Sequence, residues 1–487
     1  MKKYWLISCL FACLTLSYGQ QGRIPWNVST PEKQGMSSLT LINGINKLLQ
    51  DRTNIHSLLV IRNDRIVLDV CFPPFRKEYI HDLASVTKSI TSLLIGIAID
   101  KGYIKNEDMP VISFFPEYNT TNDTLKKLKI KDLLNMAAGL KCSWNDGEKE
   151  LYQMRNSPDW TGFIFNLPFV TLPGERFSYC SGNFYLLAEI VQRATKMTCL
   201  EFARQNLFKP LHFGESYWPQ NYRGVNHGWG DLCISEYDMA KIGSLILNNG
   251  KWNSKQLVSK EWINKIKPLY KIQRTESYGY GWWLDSENPD EIQAVGRGGQ
   301  RLFAFRERNI IIATTGGGFE AGDLDNLVLE SVKSFNKNED HSAKLDSLVK
   351  AIQSPTAGRK DAVSTDFPSS LLNKSYQFEK NDFNLLAIRF ELRNKEYYIV
   401  IESADGTIEE HPVGMNNQYI TSNAKVSGLP VALKGIWEIN KLIIWYNELS
   451  RINLYKYTFT FNDNSVDLEI RDLTNDRNGL VKGSISE

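Results

Sequence analysis

Four absences narrow the function of this 487-residue chain before any motif is considered. A dominant charge is missing: 57 Lys and Arg stand against 55 Asp and Glu, for a net charge of +2, and no basic run occurs. A nucleic-acid partner, which requires a basic face to neutralise phosphates, is therefore not expected. Metal-ligand spacing is missing too. The six histidines and seven cysteines form no zinc-like cluster, so neither a metal nor another cofactor is expected. Beyond the N-terminus no apolar run approaches the ~20 residues that span a bilayer. No solenoid-type repeat is present. What remains is a globular composition, 42% hydrophobic and 23% charged, long enough for two or three domains.

The N-terminus reads MKKYWLISCLFACLTLSYGQQGR. Lys2 and Lys3 precede a short apolar stretch, and Ser17-Tyr18-Gly19 offers small residues at a cleavage site. Residues 1–19 are read as a signal peptide and the mature chain as exported, periplasmic or extracellular, with no transmembrane helix. Leu6-Ile7-Ser8-Cys9 resembles a lipobox, but almost no apolar stretch precedes it, and anchoring at Cys9 is the lesser reading. Cys71, Cys142, Cys180, Cys199 and Cys233 remain. They read as buried thiols, with one disulfide left open.

Past the leader, two β-rich runs flank Asn63-Asp64, a hairpin signal. Residues 81–270 are mainly helical, and strands return in YGYGWWLD, RLFAF and NIIIATT. Strands at both ends enclosing a helical middle predict an α+β domain, residues 20–335, whose terminal strands share a sheet. Residues 336–365 are polar, with a short helical patch and then Pro355 and Gly358; they read as a linker. Residues 366–487 alternate at period two, an all-β barrel or sandwich.

The chemistry centres on HDLASVTKSITSLLIGIAIDKG, residues 81–102. Ser-x-x-Lys occurs four times, at Ser85, Ser334, Ser347 and Ser422, so the spacing alone carries little. Only Ser85 opens a long helix that is apolar on both sides, which predicts burial. A lysine in the first turn of such a helix loses solvent, its pKa falls, and its neutral amine can accept a proton. Three-residue spacing puts that amine beside the serine oxygen. The helix N-terminus favours an anion there. Ser85 then reads as an activated nucleophile and Lys88 as its base.

SVTKSITSLLIGIAIDKG resembles the nucleophile helix of the penicillin-recognising serine hydrolases. That superfamily includes class C β-lactamases, D-alanyl-D-alanine carboxypeptidases, family VIII esterases and 6-aminohexanoate-dimer hydrolases. LKIKDLLNMAAGL, PGERFSYCSGNFYLLAEIV, the NHGWGDLCISEYDMAKIGSLILNNG segment and GRGGQRLFAF resemble later family segments in the expected order, across about residues 24–335. The resemblance implies a β-lactamase-like fold and an acyl-enzyme mechanism. It assigns Tyr179 to proton relay, deprotonated or through Lys88, with Ser181 where the family has asparagine. Arg297-Gly298-Gly299 takes the place of the third motif. It implies an oxyanion hole from the backbone N–H groups of Ser85 and Gln300, and leaves Arg297 to a substrate carboxylate or a structural ion pair. Cys180 reads as packing, and Trp144, Trp229, Trp282 and Trp283 as core or cleft wall.

The expected activity is hydrolysis of small esters or amides, D-amino-acid peptides among them. The substrate is a small molecule or peptide. The alternatives are an inert module that binds peptidoglycan or a partner, and a weak β-lactamase. The C-terminal domain resembles lipocalin-like appendages on such hydrolases.

Overall fold

The structure is a computed structural model that describes residues 24–354 and 367–485, apart from 119, 144–146, 274, 320, 322–323, 416 and 475–476. The expected signal peptide and Trp144 lie outside the described residues.

The chain first forms a helix, α1 (Ser38–Gln50), capped by the Ser37 hydroxyl, which accepts the Thr40 N–H. Strands β1 (Ile55–Arg62) and β2 (Arg65–Cys71) follow as a hairpin. Asn63 and Asp64 both take positive φ, +51° and +56°. This is the two-residue turn that Asn and Asp tolerate and whose twist matches the strands. Helix α2 (Val86–Asp100) runs through the centre of the domain, with every residue from Val86 to Ala98 buried. It packs beside α3 (Ser181–Thr195), which is also buried along most of its length. A third buried helix, α4 (Glu236–Leu247), lies against the sheet.

The late strands β3 (Glu291–Gly296), β4 (Gln300–Phe305) and β5 (Ile310–Gly316) complete a nine-stranded sheet. β5 pairs antiparallel with β1, placing Ile312 opposite Val60 and Leu58 opposite Thr314. The N- and C-terminal strand sets thus form one sheet, as expected from strands that bracket a helical middle. Helix α5 (Leu324–Lys333) then packs against α1.

The segment expected to be a linker begins differently. Ser342–Gln353 forms a helix, α6, against α1 and β2. Leu345 is 2% exposed, and Leu348, Val349 and Ile352 pack against the same cluster. A narrow stripe at i, i+3, i+4 and i+7 suffices to seat a helix whose other faces are polar, so overall polarity was a poor guide. The α+β unit therefore runs to the end of α6; residues 355–366 lie outside the described residues.

Residues 375–485 form ten antiparallel strands in one sheet. Closure comes from Gly414, whose N–H donates to the Leu433 carbonyl at 3.2 Å and whose carbonyl accepts the Gly435 N–H at 2.9 Å. Of the two expected architectures, the barrel is the one present. Its Leu449–Asn453 turn docks on the α+β unit. The Ser450 carbonyl accepts the Asp82 N–H at 3.0 Å, and Leu449 and Ala432 pack on Phe75.

Candidate active site

Polar side chains within α2 tie it to the loops that surround its N-terminus. Ser89 donates to the Gly281 carbonyl (2.7 Å), Thr91 to Gly228 (2.8 Å) and Ser92 to Tyr280 (2.6 Å). Buried hydroxyls need such acceptors, and these three fix the helix axially. Immediately before the helix, Ala84 takes φ +45°, and its N–H donates to Asp82 Oδ1 at 2.7 Å. A non-glycine residue in that region costs of order 1–3 kcal/mol. The turn presents Ser85 at the helix mouth. Gly296 closes the edge of β3 against it: a Cβ there would strike the Leu83 carbonyl and the Ala84 side chain.

Lys88 is 1% exposed. Its Nζ donates to Ser85 Oγ at 2.8 Å and to the Trp229 carbonyl at 2.8 Å. Burial lowers its pKa to about 8, against the charges of Glu148 and Asp231, which hold it up. Near neutral pH a usable fraction is therefore the free amine. The N–H groups of Val86, Thr87 and Lys88 turn back onto the carbonyls of Leu83, Ala84 and Ser85. Among the described residues, the Ser85 N–H makes no such bond.

Tyr179 hydrogen-bonds to Ser85 and lies beneath the lysine, with Lys88 Nζ 4.9 Å from its ring centre. Burial, and then the Glu148 charge, push its pKa well up. Burial thus favours the neutral phenol. Trp283 stacks on it at 6.1 Å.

Ser85, Tyr179, Trp283, Arg297, Gly298 and Gly299 line one cleft of ≈ 920 Å³. Gly298 and Gly299 have φ of +84° and +95°, and side chains there would strike Ile452 of the barrel and Phe319. Only glycine takes this turn without strain. Arg176, Lys271 and Arg301 join Arg297 on the cleft wall, against Glu175 and Glu276.

One sequence-predicted residue stands elsewhere. Ser181 is 1% exposed, and its hydroxyl donates to the Glu148 carboxylate instead of facing the cleft. As the first residue of a buried helix it is turned into the protein. Gln300 is fully buried, and its side chain clamps the turn: Nε2 donates to the Arg297 and Gly316 carbonyls (3.0 and 2.8 Å), and Oε1 accepts the Gly316 N–H (3.0 Å). Trp229 and Trp282 are core residues, and Trp283 lines the cleft.

Sequence reasoning missed Glu148. It occupies the left-handed region (φ +54°), accepts from Ser181, and its charge acts on both Lys88 and Tyr179. Cys180 is not a free packing thiol but is bridged to Cys142. That bridge fixes Cys142 to the residue that follows Tyr179. Pairing these two cysteines was the one signal that would have drawn attention to the loop.

A family model described as Beta-lactamase matches residues 47–326. The chain is 23% identical over 276 residues to the 6-aminohexanoate-dimer hydrolase of Paenarthrobacter ureafaciens, covering 52% of this chain and 70% of that protein. It is 27% identical over 185 residues to Protein flp of Staphylococcus aureus, covering 35% of this chain and about a third (36%) of that protein. A solved family VIII carboxylesterase superposes with a TM-score of 0.51 at 14% identity, over 63% of this chain and 98% of that one.

Proposed function

We propose that this chain, which belongs to the β-lactamase family of serine hydrolases, hydrolyses small esters or amides through an acyl-enzyme on Ser85. The observation that carries the reading is the 2.8 Å contact between Ser85 Oγ and a buried lysine amine whose pKa lies near 8. Ser85 Oγ attacks the carbonyl carbon as its proton passes to Lys88 Nζ. Charge develops on the carbonyl oxygen, for which the Ser85 N–H, together with the Gln300 N–H, serves as donor. Tyr179, neutral and hydrogen-bonded to Ser85, donates its phenolic proton to the leaving alkoxide or amine. Lys88 then restores that proton. In the second half the same pair takes a proton from water as water attacks the acyl carbon, and passes it to Ser85 Oγ as the acyl–oxygen bond breaks.

Four basic and two acidic side chains on the cleft wall favour substrates that carry a carboxylate. The 6-aminohexanoate dimer, on which the similar Paenarthrobacter enzyme acts by its name, is an amide of this kind. An inert binding module has no use for a lysine held dry against a serine, which supports catalysis over passive binding. Export follows from the Lys2-Lys3 leader and is part of the proposal.

A panel of p-nitrophenyl acetate, p-nitrophenyl butyrate, the 6-aminohexanoate dimer, a D-alanyl-D-alanine peptide and nitrocefin tests this. Turnover of at least one ester or amide by the wild type, lost in Ser85→Ala, is expected. Equal turnover by both proteins, or none by a folded wild type, refutes it.

A further inference from the structure

The C-terminal barrel has two unlike ends. One is packed with rings: Phe367, Phe390, Trp437 and Phe461 contact one another. The other encloses a cavity of ≈ 320 Å³. Two neighbouring strands make most of its polar wall. Lys441–Glu448 and Leu454–Asn462 pair antiparallel with Tyr446 opposite Tyr455, and residues at period two face inward. From the ring-packed end outward the inner face changes from Leu442 and Ile444 to Tyr446 and Glu448. On the partner strand Phe459 gives way to Tyr457 and Tyr455.

The charge of this wall is one-sided. Glu409 and Glu448 both line the cavity, and none of its described lining residues is basic. Glu409 is occupied, accepting the N–H groups of Lys425 (2.6 Å) and Val426 (3.0 Å). Among the described residues no side chain hydrogen-bonds or ion-pairs with the Glu448 carboxylate. Arg451, on the adjoining turn, has a guanidinium nitrogen 3.9 Å from Asp82 of the α+β unit. Burial pushes the Glu448 pKa up; the Arg451 charge opposes the rise, and the nearby Asp472 adds to it. A half-buried carboxylate with no hydrogen-bonded partner, on a wall whose described lining holds no basic side chain, draws a cation into the cavity. Tyr446 and Tyr457 stack at 5.9 Å beside it, ring faces of the kind that attract ammonium groups. Leu468 and Ile470 supply the apolar remainder.

We propose that the barrel binds a small organic cation with an apolar body, its ammonium group between Glu448 and the Tyr446–Tyr457 pair and its hydrocarbon against Leu468 and Ile470. The volume lies at the lower end of small-molecule sites, which selects a short chain over a full-length lipid. A carboxylate ligand of the same length meets two like charges. A neutral one makes no direct ion pair with Glu448. The site is separate from the Ser85 cleft and does not depend on the chemistry assigned there.

Isothermal titration of the full chain at pH 7 with n-octylammonium chloride and with sodium octanoate tests the proposal. The ammonium binds one to one, and octanoate binds at least tenfold more weakly. Glu448→Gln weakens ammonium binding at least tenfold with the melting temperature unchanged. Leu468→Trp, which fills the cavity, abolishes it. The proposal is overturned if octanoate binds as tightly as the ammonium or if the ammonium does not bind. It is equally overturned if binding survives either substitution in a folded protein.

Discussion

Replacing Glu148 by glutamine should move the basic limb of the acylation rate to lower pH. Lys88 is pulled down to about 8 by burial, while Glu148 and Asp231 oppose the fall. With a pKa of about 8, roughly 1% of the amine is free at pH 6, about a tenth at pH 7 and half at pH 8. Removing one of the two opposing charges lowers that pKa further, by about 0.5–1 unit for a partly screened carboxylate. The free-amine fraction at pH 7 then rises roughly two- to sixfold. Glutamine keeps an oxygen for the Ser181 hydroxyl, so the change is chiefly one of charge. The assay is the pseudo-first-order rate of fluorophosphonate labelling from pH 5.5 to 9.5 at constant ionic strength. Asp82, pushed up to about 7 by burial and the Asp231 charge, titrates in the same range. The informative quantity is therefore the displacement between the two proteins. A limb that stays in place, or moves to higher pH, refutes the assignment of Lys88 as the base under Glu148 control.

Tyr179→Phe should lower kcat by about 10²–10⁴, the usual scale of a lost proton donor, with KM and melting temperature little changed; retention of more than a tenth of kcat contradicts the relay. Removing the Cys142–Cys180 bridge with a double serine substitution should cost about 4 kcal/mol by the loop-closure relation for a separation of 38 residues, read from urea midpoints. Activity should fall further than stability explains, because the residue that follows Tyr179 loses its tether; free thiols at both positions in the wild type contradict the bridge. Gly298→Ala places a side chain at φ +84° and against Ile452. It should lower kcat/KM at least tenfold, and the loss should be only partly relieved by Ile452→Ala, since the backbone strain remains.

The elements legible in the sequence were those whose periodicity is complete within one element. α2 was readable because apolar residues cover its whole circumference, and the first hairpin because Asn63-Asp64 can adopt only a few turns. The period-two alternation after residue 366 announced strands. It did not distinguish barrel from sandwich, because closure rests on Gly414 reaching Leu433 and Gly435. α6 was read as no more than a helical patch in a linker for the opposite reason: its buried stripe is narrow and most of its surface is solvated. At the site, Ser85, Lys88 and Tyr179 meet as the resemblance implied. Ser181 does not face the cleft, because the position after Cys180 begins α3 and is turned inward. Glu148 was illegible, since its place depends on a left-handed backbone that no local pattern encodes.

The central claim is that Ser85 is the nucleophile, and a covalent adduct tests it most directly. Wild-type protein is treated with a fluorophosphonate and its peptides are mapped by mass spectrometry. One adduct per chain, on the peptide containing Ser85-Val86-Thr87-Lys88, is predicted, absent in Ser85→Ala and slowed at least a hundredfold in Lys88→Ala. A folded wild-type protein that takes up no label, or carries it on another serine, contradicts it.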